Sequence, residues 1–123
     1  AQPPGPLDRL DAALACYDEA IAIDPGNGPA WNNRGTTLGK LELHNAAIVS
    51  YDMAIRCRPG YAEAHCNRGN ALCNLGRFAE AITSYCRALT IHPDHVDAHN
   101  NRGLAYHSLC EFEKAIAELK DPK

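Results

Sequence analysis

Three six-residue stretches set at a constant interval constrain this chain more than any other feature. They are Ala30-Trp31-Asn32-Asn33-Arg34-Gly35, Ala64-His65-Cys66-Asn67-Arg68-Gly69 and Ala98-His99-Asn100-Asn101-Arg102-Gly103, each 34 residues after the last. A fixed period of this size marks a stack of supersecondary units, none of which can bury its apolar face without a neighbour. The 123 residues hold about three and a half such units. Stability is therefore expected from contacts between neighbouring units rather than from one central core.

Between the stretches the periodicity is helical. Leu10, Ala13, Leu14, Tyr17, Ala20 and Ile21 fall on one helix face, and Asp24-Pro25-Gly26-Asn27 ends that helix, because a proline disfavours helical dihedrals in the residue before it. Helices are expected at 29–42 and 45–57, closed by Arg58-Pro59-Gly60, then at 62–75 and 79–91, closed by Pro93, then at 96–109 and 113–120. Small residues hold register along the second helices (Ala13, Ala47, Ala81, Ala115; Ala20, Ala54, Ala88), and so do large ones (Leu14, Ile48, Ile82, Ile116; Tyr17, Tyr51, Tyr85). Alternation of this kind lets helices approach closely while the large side chains fill the gaps. Residues 1–6, with three prolines and a glycine, are expected to be a disordered tail.

Residues 28–61 carry Trp31, Gly35, Leu38, Ala47, Tyr51, Ala54 and Pro59, a pattern that resembles the tetratricopeptide repeat. The resemblance covers residues 7–121, with His65 and His99 in the aromatic place of Trp31 and Arg34, Arg68 and Arg102 where an aliphatic residue is commoner. It implies an all-α, right-handed solenoid of antiparallel helix hairpins, about seven helices in all. These divide into a tail at 1–6, the second helix of a truncated repeat at 7–27, full repeats at 28–61 and 62–95, and a repeat truncated at its C-terminus at 96–123. The outer faces of the first and last helices, including Leu10, Leu14, Ile116 and Leu119, are then expected to be partly exposed and to favour self-association into a homo-oligomer.

In such a superhelix the first helix of each unit lines the concave surface. With about 100 degrees of rotation per residue and Trp31, Gly35 and Leu38 facing the core, the side chains pointing away are Pro29, Asn33, Thr36 and Lys40, then Glu63, Asn67, Asn70 and Asn74, then Asp97, Asn101, Leu104 and Ser108. The groove is polar, nearly neutral and rich in amides. An amide offers a donor and an acceptor, so Asn33, Asn67 and Asn101, with Thr36, Asn70, Asn74 and Lys40 around them, are suited to hydrogen-bond the backbone of an extended or helical peptide. The ladder resembles the asparagine ladder in the repeat domain of O-linked N-acetylglucosamine transferases, which implies the substrate-selecting arm of a glycosyltransferase as a second role. A solvated face with no ligand is the alternative. The carboxylate clamp of the family's chaperone-binding branch is not expected, because Asn32, Cys66 and Asn100 stand where its leading lysine belongs.

The remaining candidates point to structure. Arg34, Arg68 and Arg102 rotate about 60 degrees from the Trp31 direction toward the packing side, where hydrogen bonds to helix-end carbonyls or to Asp18 and Asp52 are expected. His92, His95 and His99 are too loosely spaced to suggest a metal site, and the six irregularly spaced cysteines read as reduced, core-filling thiols. No catalytic motif is present, so neither an enzyme nor a cofactor is expected. A net charge of -3 with scattered Lys and Arg gives no electrostatic footing for nucleic acid or an anionic membrane. No apolar run reaches membrane-spanning length, no signal peptide is visible, and the thiols favour a reducing compartment, so a cytoplasmic protein or peptide binder is expected.

Overall fold

The computed structural model describes residues 5–120, and among them it contains helices and no strand. The order is α1 (Pro6–Ile23), α2 (Gly28–Lys40), α3 (His44–Cys57), α4 (Ala62–Asn74), α5 (Phe78–Ile91) and α6 (Val96–Lys120). Residues 1–4 of the expected tail lie outside the described residues. Gly5 and Pro6 are not tail: Gly5 is the N-cap and Pro6 opens α1, where its missing N–H costs nothing.

Helix ends repeat with the sequence. The residues before Pro25, Pro59 and Pro93 cap α1, α3 and α5 with nearly one geometry, φ/ψ of -136/91 at Asp24, -147/87 at Arg58 and -132/86 at His92. Each lies outside the helical region from which a following proline excludes it. Asn27 caps α2 by accepting from the Ala30 N–H, and His95 does the same for α6 by accepting from the Ala98 N–H through Nδ1. The turns inside the first two hairpins rest on a left-handed residue, Glu42 at φ 62 and Gly76 at φ 75. There the Leu43 and Arg77 N–H groups reach back to the Leu38 and Leu72 carbonyls at 2.9 Å, a Schellman closure.

The third unit departs from expectation. Seven helices were anticipated, with a turn near 110–112; six are present among the described residues, and α6 runs unbroken for 25 residues. Cys110 occupies the place of Glu42 and Gly76, and there it keeps helical dihedrals. A left-handed conformation costs a residue with a side chain about 1–2 kcal/mol. Glu42 bears that cost because α3 then packs against both α2 and α4; the far half of α6 has no such second neighbour among the described residues.

Packing follows the small-and-large alternation. A methyl group added at Gly35 would lie 2.6 Å from the Tyr51 ring, and one added at Gly69 would lie 2.6 Å from the Tyr85 ring, so each glycine is the seat of the tyrosine from the second helix. Ala47, Ala54, Ala64, Ala81, Ala88 and Ala98 are fully buried, with Leu72, Cys66 and Tyr85 filling the space between units. Consecutive helices pack throughout; α2 also touches α4 and α4 touches α6, while α1, α3 and α5 do not touch one another. The stack therefore curves toward the first helices. Leu10, Leu14 and Ile116 are half-buried and Leu119 is 81% exposed. The cysteines are free, and Cys66, Cys57, Cys73 and Cys86 are wholly or partly buried, but Cys16 and Cys110 are exposed and fill no core.

Candidate functional site

Two ladders fix the first helices in place. Arg34 donates through Nε to Asp18 at 2.7 Å and through Nη1 to Ser50 Oγ at 2.8 Å, and Arg68 repeats both bonds with Asp52 and Ser84. Each guanidinium thus ties a first helix to the second helices of its own and the preceding unit, on the packing side as the rotation predicts. The serines were not anticipated, although Ser50 and Ser84 share the 34-residue step. In the third unit Cys86 stands where Asp18 and Asp52 do, and Arg102 Nη1 reaches its sulfur at 3.5 Å.

The second ladder explains the histidines. Trp31 Nε1 donates to the Pro25 carbonyl at 3.1 Å, and the Nε2 atoms of His65 and His99 lie 3.2 and 2.7 Å from the carbonyls of Pro59 and Pro93. A carbonyl only accepts, so each imidazole carries its proton on Nε2 and does what the indole does. Burial pushes the His65 pKa down; the Pro59 bond opposes this, and Arg87 and Arg68 add to it. His92 and His95 stack edge to face with centroids 5.5 Å apart. With its Nδ1 on Ala98, His95 turns Nε2 to Glu63 at 3.0 Å, so the ring nitrogens of His95 and His99 engage separate partners. Among the described residues no group of three or more His, Cys, Asp or Glu is placed to hold a metal.

The opposite face of the first helices is a row of linked polar groups. Asn67 Nδ2 donates to Asn32 Oδ1 at 3.1 Å, joining α2 to α4, and Asn101 Nδ2 donates to Asn70 Oδ1 at 3.0 Å, joining α4 to α6. From the second helices Tyr51 donates to Thr36 Oγ1 at 3.3 Å and Tyr85 to Asn70 Oδ1 at 2.6 Å. Burial pushes both phenols up, so they remain neutral donors. Asn67 and Asn101 each spend one amide hydrogen inside the protein and keep a second hydrogen and the carbonyl oxygen for a ligand.

Two abutting recesses result. One of about 220 Å³ is lined by Thr36, Lys40, Asn67, Asn70, Asn74 and Tyr51. The next, about 290 Å³, is lined by Asn70, Asn74, Asn101, Ser108, Phe78 and Tyr85. They are 34-residue translations of one another and share Asn70 and Asn74. Six of the seven anticipated residues are thus brought together, while Asn33 is exposed on α2 and lines neither recess. Tyr51, Tyr85 and Cys73 were missed as groove residues because their side chains read as core, and Phe78 because it opens α5 outside the register of the first helices.

Of the positions a carboxylate clamp would charge, Asn32 and Cys66 are 5% and 2% exposed, and Asn100 is an uncharged surface residue. The Cys66 thiol is pushed up to about 12, by burial first and then by Glu63 and Asp97, so it is uncharged. Lys40 is the one cation on the recess walls. No helix among the described residues is long and apolar enough to cross a membrane.

A curved stack of helical hairpins, with a polar recess repeated at each step, defines a helical-repeat protein of the solenoid class. Models of the tetratricopeptide repeat match residues 16–48 and 50–83, and a TPR repeat model matches residues 69–109. The chain belongs to the tetratricopeptide repeat family. No curated protein sequence matches it. Among solved structures it is similar to the first TPR domain of human RPAP3, with a TM-score of 0.83 and 27% identity over 85% of this chain and 83% of that one. It is also similar to the first TPR of Spaghetti (RPAP3) bound to the HSP90 peptide SRMEEVD, with a TM-score of 0.80 and 26% identity over 83% and 81% of the two chains. For MamA the TM-score is 0.77 at 30% identity, over 88% of this chain and 63% of that one.

Proposed function

We propose that this chain is a non-catalytic interaction module, a right-handed superhelix that binds an extended or helical segment of another protein along its first-helix face. The observation that carries the reading is the pair of abutting recesses, lined by Thr36, Lys40, Asn67, Asn70, Asn74 and Asn101 and repeated with the period of the fold. A peptide crossing them meets an amide at each step, and many weak contacts on a preformed surface sum to useful affinity. The RPAP3 domains, similar in fold, are solved with HSP90 and HSP70 peptides, which supports a peptide as the ligand class. The uncharged residues at 32, 66 and 100 favour recognition of main chain over capture of a terminal carboxylate. Asn33 is the outermost rung, met by a peptide that extends beyond the first recess. The amide face also suits the substrate-selecting arm of a glycosyltransferase, in which the bound segment would be the acceptor protein. The free thiols support a reducing compartment such as the cytoplasm.

The test is a peptide-display selection on the wild type beside the triple variant Asn33→Ala, Asn67→Ala and Asn101→Ala, with circular dichroism showing both folded. Loss of enrichment in the variant is the expected result; enrichment of the same peptides by both would move the site elsewhere. A second arm compares SRMEEVD with its C-terminal amide, and tighter binding of the free acid would overturn main-chain recognition.

A further inference from the structure

The third unit holds one half of a hairpin whose other half lies out of reach. Gly35 and Gly69 are pressed against Tyr51 and Tyr85, sixteen residues on, but a methyl group added at Gly103 would meet nothing within 4 Å. The matching residue is Leu119, and a straight helix carries it about 24 Å from Gly103. Yet residues 111–120 are written to cover residues 98–109. Ala115 and Ile116 hold the places of Ala81 and Ile82, which are buried. Where Tyr51 and Tyr85 hydrogen-bond Thr36 and Asn70, the third unit has Leu119 and Leu104, a polar pair replaced by an apolar one. The arginine ladder changes in step. Arg102 finds Cys86 in place of an aspartate, while Glu118 stands where Ser50 and Ser84 do, so the carboxylate has moved to the segment that would lie against it.

We propose that this segment is supplied by a second copy of the chain. Two α6 helices lie antiparallel about a twofold axis near residue 111, so that Leu119 of each copy seats on Gly103 and Leu104 of the other and Glu118 of each meets Arg102. The pairing is isologous. It joins Leu104, Ser108, Phe112, Ala115 and Leu119 into a seam spaced by three and four residues, of which Leu104, Phe112 and Leu119 are now 60%, 53% and 81% exposed. A third recess, with Leu104 and Ser108 from one copy and Phe112, Ala115 and Leu119 from the other, exists only in the pair. Closing the hairpin within one chain would satisfy the same register, but it requires a left-handed Cys110 and breaks backbone bonds of α6; exchange between copies leaves α6 as it stands. The proposal does not rest on a peptide filling the groove, although Leu104 and Ser108 border both the second recess and the seam.

Sedimentation at low salt tests it with a charge swap. Wild type is expected to dimerise. Arg102→Glu and Glu118→Arg, each alone, set like charges together twice per dimer and weaken association by about tenfold or more, whereas an equimolar mixture of the two restores it, because each unlike pair then forms between copies. Leu119→Asp, at an exposed position, is expected to abolish the dimer without changing the melting temperature measured on dilute monomer. A wild type that stays monomeric at high concentration overturns the proposal, as does a dimer indifferent to these substitutions or a mixture that associates no better than its parts.

Discussion

Gly35 and Gly69 show how much a single absent methyl group decides. At Gly69 the 2.6 Å approach of the Tyr85 ring sets overpacking, typically about 1–3 kcal/mol, against the roughly 1 kcal/mol by which alanine favours a helix over glycine. Gly69→Ala is expected to destabilise by up to about 2 kcal/mol in urea unfolding, whereas Gly39→Ala, with nothing within 4 Å, is expected to stabilise by about 0.5–1 kcal/mol. His65 supplies a pH-dependent counterpart. Its folded pKa is depressed, chiefly by burial, so the unfolded chain takes up the proton first. The contribution is complete above the ordinary histidine value near 6.5 and is lost as pH falls from there toward the folded value. Comparison with His65→Trp, which keeps the N–H toward Pro59, is expected to show a steeper loss of urea stability in the wild type between pH 7.5 and 5. The rotation of Arg34 and Arg68 toward Asp18 and Asp52 was legible from helical periodicity alone. That Asn67 bonds Asn32, and Asn101 bonds Asn70, was not, because periodicity gives direction on one helix and not the offset between two.

At the scale of helices, the prolines and the small-and-large register were enough to place α1 to α5 within a residue or two. The missing seventh helix has a different cause. Repeat register says that residues 113–120 have the composition of a second helix, but a hairpin turn also needs a left-handed residue and something for the returning helix to pack between. Neither condition is written in the periodicity; the first is a property of position 110 and the second of what lies beyond the repeat. The same turn chemistry predicts a stabilising substitution. Glu42 holds φ 62 with a side chain attached, in a turn whose twin uses Gly76, and its carboxylate makes one exposed contact with His44 at 3.0 Å. Relief of the left-handed cost outweighs a single exposed hydrogen bond. Glu42→Gly is expected to raise stability by about 1 kcal/mol in a urea titration, and an unchanged or lowered midpoint would show that the His44 contact dominates.

Across the whole molecule, contact between neighbouring units alone makes stability a sum of local terms, greatest where a hairpin is held on both sides. The α4–α5 hairpin is held by α3 before it and α6 after it, and it contains Tyr85, Leu72 and Cys66, the three largest fully buried side chains. Residues 113–120 are at the other extreme, exposed at every position but Ile116. Their backbone bonds are then protected only by the helix itself, which for one or two turns is worth little in water. Amide hydrogen exchange on dilute, monomeric protein is accordingly expected to rank α4 and α5 slowest, α2 and α3 next, α1 faster, and the last two turns of α6 fastest. Uniform protection along the chain would instead mean that the units open as one body and that nearest-neighbour addition fails. Slowing confined to 113–120 as concentration rises would show that the far half of α6 finds its cover in another copy.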